Sequence, residues 1–219
     1  MDAFGTLFQY DHVLREASEK IIDREHLALS AEDFCRIWRE KSRGQQWDKQ
    51  PYKKVAEWFA LSLAETFAHF NHKGHVEKGV NINLSLIQQV KAYPDVESFL
   101  DRAHGPYKIC LLTNIDNQEL HKVLFHNKLQ FDAIVTSEMA QAYKPNPKIF
   151  EAALSFIETP TEEVIHIGDS PYHDIAGAKQ SGLQAIWLNR HTTDYPTDLP
   201  QPDRMVSNLT AFADLLLTQ

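Results

Sequence analysis

From residue 10 to about residue 93 the apolar positions recur at helical spacing. Val13, Ala17 and Ile21 share one face, as do Phe34, Ile37 and Trp38, and then Val55, Trp58, Phe59, Leu61, Leu63 and Phe67. Residues 68–80 hold His, Asn and two Gly residues and read as a helix-to-helix connection, after which residues 82–90 resume the apolar period of a fourth helix. Beyond Pro94 the texture changes. Short apolar, β-prone runs at 107–112, 133–136, 164–167, 184–188 and 205–207 alternate with helical patterns that begin near Pro94, Asn117, Pro147, His173 and Asn208. This rhythm predicts an α/β fold, a Rossmann-like parallel sheet covered by helices, with ligands bound beyond the carboxyl ends of the strands.

Composition narrows the setting. At 43% hydrophobic and 24% charged residues, the 219-residue chain has the balance of a globular protein with a sizeable core. The net charge is −8 and Lys/Arg residues form no stripe, so a nucleic-acid or anionic-membrane surface is not expected, and any bound anion needs a local site. Cys35 and Cys110 lie far apart without CxxC spacing and read as buried thiols of a reducing compartment. With no long apolar span and no basic-then-apolar start, the expected location is the cytoplasm.

Polar residues cluster where the strands should end. The stretches are Asp2-Ala-Phe-Gly-Thr6, Thr113-Asn114, Lys144-Pro-Asn-Pro147, and Gly168-Asp169-Ser170 followed by Asp174. Singly, each has a bland alternative: a turn, a helix N-cap, an exposed loop, or an acid in a first helical turn. In this order on a βαβ frame they resemble the four motifs of the haloacid dehalogenase-like (HAD) hydrolase superfamily, and the resemblance covers essentially the whole chain. It implies a core of residues 1–9 and 94–219, with residues 10–93 inserted as a helical cap of the C1 type.

The resemblance also implies roles. Asp2 is expected to be the nucleophile that forms a covalent aspartyl intermediate. Thr6, Thr113, Asn114 and Lys144 are expected to hold an anionic substrate, with Lys144 set as a fixed positive charge against Asp2. Asp2 and Asp169 in one cleft would repel each other unless a cation lay between them, so Mg²⁺ is expected on both carboxylates and the Phe4 backbone carbonyl. Asp174 is expected to support Lys144 or a metal-bound water.

Two features depart from the superfamily pattern. Its phosphatases carry a second Asp two residues after the nucleophile as proton donor, and here that position is Phe4. An aromatic residue there is similar to L-2-haloacid dehalogenases, whose halide leaving group needs no proton, and Arg36, Arg39 and Arg43 are candidate halide ligands. Against dehalogenation stand Gly168-Asp169-Ser170-Pro171 in place of Ser-Ser-Asn and Phe150 in place of a Tyr. Mg²⁺-dependent phosphoester hydrolysis is therefore placed first, dehalogenation second, and a non-catalytic domain binding a phospholigand or protein third. Finally, only Met1 precedes the nucleophile where an apolar strand is expected, so the chain as given is expected to lack a native N-terminal stretch. The expected partner is a small phosphorylated or halogenated metabolite, with no nucleic acid or membrane, and the expected state a monomer or homodimer.

Other clusters read as structural. His69, His72 and His75 are expected in a solvated loop, since Asn71 and Gly74 break the helix that would align them. Trp47, Tyr52, Trp58 and Phe59 read as core, Asn189-Arg190 as structural, and the Pro-rich residues 195–202 as an extended connection.

Overall fold

The computed structural model describes residues 1–217. Along the chain run the helices α1 (Val13–Glu25), α2 (Ala31–Gly44), α3 (Val55–His69), α4 (Val76–Ile87) and α5 (Val96–Ala103), then strand β1 (Cys110–Thr113). There follow α6 (Asn117–Asn127), β2 (Ala133–Thr136), α7 (Ser137–Ala140), α8 (Pro147–Ile157), β3 (Ile165–Gly168), a wide π-helical segment Pro171–Ala176 leading into α9 (Gly177–Gln180), β4 (Gln184–Leu188), β5 (Arg204–Val206) and α10 (Leu209–Leu217). These form two compact units, one of residues 10–90 with 115–128, the other of residues 1–9, 91–114 and 129 onward.

In the helical unit the apolar residues named from sequence are buried, except Leu61 of α3, which is 44% exposed. Phe34, Trp38 and Leu63 are fully enclosed, each worth on the order of 1.5–3 kcal/mol of burial. The Trp38 indole N–H donates to Ser62 Oγ at 3.0 Å, which removes the cost of burying it. Ser30 caps α2 by accepting from the Asp33 amide at 3.0 Å. Residues 115–128, which the strand–helix rhythm alone assigns to the α/β part, group with these helices, and α6 packs on α4. Asp116 shows why: its buried carboxylate accepts the Val55 and Ala56 amides at 3.0 and 3.3 Å, an acid satisfying the N-terminus of α3. The His-rich connection is more ordered than expected. His72 Nε2 and His75 Nδ1 lie 3.3 and 3.1 Å from the Glu25 carboxylate at the end of α1, while the His75 side chain stays 67% exposed.

The second unit is the predicted α/β core. All strand pairs are parallel, in the orders β1–β2 and β3–β4–β5. Met1 and Asp2 lie between these two sheets. The Met1 nitrogen donates to Cys110 O at 2.7 Å, the Leu112 amide to Met1 O at 2.8 Å, and the Asp2 amide to Ile167 O at 2.9 Å. Asp2 thus sits at the centre of the combined sheet, between β1 and β3. A cavity of about 470 Å³ touches Met1 but not Asp2, and is lined by Ile109, Cys110, Ile165, Phe150 and Phe212 among others. Helix α8 packs on β1 and β2, α9 on β4, and α10 on β5 and α5. Leu112, Val135, Ile149, Phe150, Ala185 and Trp187 form the core between α8, α9 and the strands. Among the described residues no helix is long and apolar enough to cross a membrane.

Candidate active site

The site lies in the α/β unit, at the carboxyl ends of β1 and β3. Asp2 leaves the centre of the sheet into a tight loop in which the Leu7 and Phe8 amides donate to Ala3 O and the Gly5 amide to Phe8 O. Gly5 has φ +91°, and a Cβ there would stand 2.5 Å from Asp169 Oδ2, so only glycine lets this loop pass the Asp169 carboxylate. Gly168 meets the same restriction, since a Cβ would overlap the Asp174 carboxyl group. Ser170 then starts the wide turn after β3: its hydroxyl accepts the His173 amide at 3.1 Å and its carbonyl the Asp174 amide at 3.0 Å, with Pro171 preset for the first turn.

Lys144 is the hub. It is 2% exposed, and its Nζ donates to Asp2 Oδ1 and Asp174 Oδ1, both at 2.6 Å, and to Leu112 O at 3.1 Å. All three ammonium protons are thereby used. Asn114 secures the lysine from behind, its Oδ1 accepting from the Lys144 amide at 2.8 Å and its Nδ2 donating to Lys144 O at 3.2 Å. Thr113, the last residue of β1, is buried beside this pair in sequence. Thr6 Oγ1 donates to Asp169 Oδ1 at 3.2 Å, and the Trp187 indole N–H fixes the Asp169 carbonyl at 2.9 Å. Phe4 is half-buried, its ring 5.9 Å from that of Phe8.

The carboxylates are not equivalent. Burial pushes Asp174 up, but Lys144 and the His166 hydrogen bond outweigh it and hold this acid well below the usual carboxylate range. Its Oδ1 also accepts from His166 Nε2 at 3.0 Å and its Oδ2 from the Ser170 amide at 3.1 Å, so both oxygens are satisfied. Asp2 is less well served. Burial raises it, Lys144 only partly offsets this, and its Oδ2 accepts no hydrogen bond of good geometry. Asp169 lies well above the usual range, through burial first and the neighbouring charges of Asp2 and Asp174 next. Burial pulls the Lys144 ammonium down, yet Asp174 and Asp2 more than reverse this and leave it above an ordinary lysine.

One oxygen each of Asp2, Asp169 and Asp174 lie within 4.8 Å of one another. Three acids share one ammonium, and Asp2, whose Oδ2 lacks a well-formed donor, together with the nearby Asp169 suits a hard divalent cation on these two residues. Asp174, with both oxygens occupied by donors, fits the supporting role. The sequence-named residues Asp2, Thr6, Asn114, Lys144, Asp169 and Asp174 are therefore joined by direct hydrogen bonds or by that carboxylate cluster. Two further residues escaped the motif reading. His166 lies under Asp174, and its signal was a lone polar residue inside a buried apolar run. Arg190 donates to Thr6 O at 2.9 Å and bidentately to Asp95 at 2.9 and 3.0 Å, with its guanidinium 4.0 Å over the Tyr93 ring, so it ties the loop that follows Asp2 to Asp95.

The chain is 27% identical over 195 residues to the (S)-2-haloacid dehalogenase 4A of Burkholderia cepacia, covering 86% of this chain and 81% of that protein. It is 34% identical over 126 residues to the pyrimidine 5'-nucleotidase YjjG of Escherichia coli, covering 56% of each. The L-2-haloacid dehalogenase structure from Xanthobacter autotrophicus superposes with a TM-score of 0.82 at 18% identity, covering 100% of this chain and 97% of that one, a likeness of fold. The family pattern of haloacid dehalogenase-like hydrolases matches residues 20–188, and this chain belongs to that family.

Proposed function

We propose that this hydrolase cleaves the carbon–halogen bond of a small 2-haloacid through an ester on Asp2. The observation that carries the reading is the division of labour on Asp2: Oδ1 is held by Lys144 at 2.6 Å while the buried Oδ2 is left without a good donor, a carboxylate oriented by one oxygen and reactive at the other. Oδ2 would attack the halogen-bearing carbon and halide would leave unprotonated. Water would then cleave the ester, returning Asp2 and releasing the 2-hydroxyacid. Phe4 supports this order of events, because a chain with no carboxylic acid at that position lacks the proton donor that an alkoxide leaving group needs and a halide does not. The relative that aligns over 81% of its own length is a haloacid dehalogenase, whereas the nucleotidase aligns over 56%. In the sequence, Gly168-Asp169-Ser170-Pro171 and Phe150 placed phosphoester hydrolysis first; these relatives favour the reverse order.

A second reading is kept because the carboxylate cluster favours it. Asp2 and Asp169 would hold Mg²⁺, with the Phe4 carbonyl as a further oxygen ligand, and the ion would supply charge neutralisation for a phosphoryl group. In that reading Lys144 still orients Asp2, and Thr6 and Thr113 offer hydroxyls to the anion. The test is release of chloride from 2-chloropropionate and of phosphate from p-nitrophenyl phosphate, each with EDTA and with added Mg²⁺. Halide release that survives EDTA is the expected result. Phosphate release that needs Mg²⁺, with no halide release, would replace the first reading by the second, and neither activity would remove both.

A further inference from the structure

Lys144 is shared between two carboxylates at the same distance, 2.6 Å, so something must decide how firmly Asp174 holds its end while Asp2 changes charge during turnover. The second donor on Asp174 Oδ1 is His166, whose Nε2 lies 3.0 Å away. This imidazole is 3% exposed, sits on β3 three residues before Asp169, and meets the Phe150 ring edge-on at 5.3 Å. We propose that His166 is a positioning residue: by donating its Nε2 proton to Asp174 it fixes that carboxylate, and through it holds the Lys144 ammonium against Asp2. The inference rests on the Asp2 chemistry proposed above, and applies equally to an aspartyl ester or an aspartyl phosphate.

The geometry leaves the proton on one atom. Asp174 is held ionised by its three donors, so its Oδ1 can only accept and Nε2 must carry the hydrogen. Burial holds the imidazole down to about 4, so it is neutral at pH 7 and adds direction without adding charge. A leucine at this position would remove one of the two donors on Oδ1, free the carboxylate to rotate, and draw the ammonium toward Asp174. A glutamine can place its Nε2 close to where the imidazole Nε2 stands, and so restores the donor without the ring.

Two measurements on the full chain test this. In ¹⁵N NMR of the wild type at pH 7, His166 is expected as the neutral Nε2–H tautomer; the Nδ1–H tautomer would overturn the proposal. In turnover, His166→Leu is expected to lower kcat about tenfold or more with KM within about twofold, and His166→Gln to recover most of the loss. A His166→Leu enzyme with kcat within about twofold of wild type, or a glutamine variant no better than a folded leucine variant, would also overturn it. If His166→Leu does not fold, the tautomer and the glutamine variant still decide. A wild type that turns over no substrate at all counts against the proposed function, while the tautomer still judges His166.

Discussion

Replacing Lys144 by methionine keeps the volume of the side chain and removes its charge, which isolates what the ammonium contributes. The structure sets the scale. Nζ is 2.6 Å from each of two buried carboxylate oxygens, and at an effective dielectric of about 20 each pair is worth on the order of 6 kcal/mol of Coulomb energy before desolvation is subtracted. The net cost of stranding two buried carboxylates is about 3–5 kcal/mol, a large part of the 5–15 kcal/mol typical of a folded domain. The sign with pH follows from linkage. Without Lys144 both acids are raised in the folded state relative to the unfolded chain, so the variant binds more protons folded than unfolded and loses stability as pH rises. Urea unfolding of both proteins should therefore show a deficit of about 3–5 kcal/mol at pH 7 that shrinks by at least about 1 kcal/mol at pH 5. The double variant Asp2→Asn with Lys144→Met should recover part of it. A deficit below about 1 kcal/mol at pH 7, or one that does not change with pH, would refute the view of Lys144 as the electrostatic hub.

Phe4→Asp installs the missing carboxyl group; it should lower halide release and raise Mg²⁺-dependent release of phosphate from p-nitrophenyl phosphate, measured side by side. Arg190→Lys removes the bidentate grip on Asp95 and one bond to Thr6 O, and should cost about 1–3 kcal/mol in thermal unfolding while lowering kcat, because the loop that follows Asp2 loosens. The acid limb of the kcat/KM profile should lie above the usual carboxylate range, since Asp2 must be ionised to attack and burial raises it; activity should rise with pH through that limb, and a limb below pH 4 would contradict this. Asp174, held low by Lys144 and His166, stabilises the fold above its unfolded value near 3.8, and that stabilisation should be lost only as pH falls well below it.

How much of this was legible beforehand differs by element, for physical reasons. The strands were legible because buried parallel strands are short apolar runs, and the motif residues because polar groups at strand ends have few other reasons to occur together. Residues 115–128 were assigned by rhythm to the α/β part because a helix after a strand is the ordinary crossover; that Asp116 caps α3 depends on a contact across 61 residues, which no local pattern encodes. The tie of His72 and His75 to Glu25 was hidden in the same way, 47 and 50 residues apart. Arg190 looked structural because its partner Thr6 lies 184 residues away. The order of the two reactions was read from Gly168-Asp169-Ser170-Pro171 and Phe150, both local signatures, whereas Phe4 leaves no carboxylic acid at the position of the proton donor that phosphoester hydrolysis needs.

Central to the proposed function is a covalent role for Asp2 through the oxygen that Lys144 does not hold. Turnover of 2-chloropropionate in H₂¹⁸O, followed by mass spectrometry of the peptide that contains Asp2, tests this directly. Water attack on the ester carbonyl should place ¹⁸O in the Asp2 carboxyl group, and the first hydroxyacid released should carry unlabelled oxygen. Label found in the first product and none in Asp2 would contradict it.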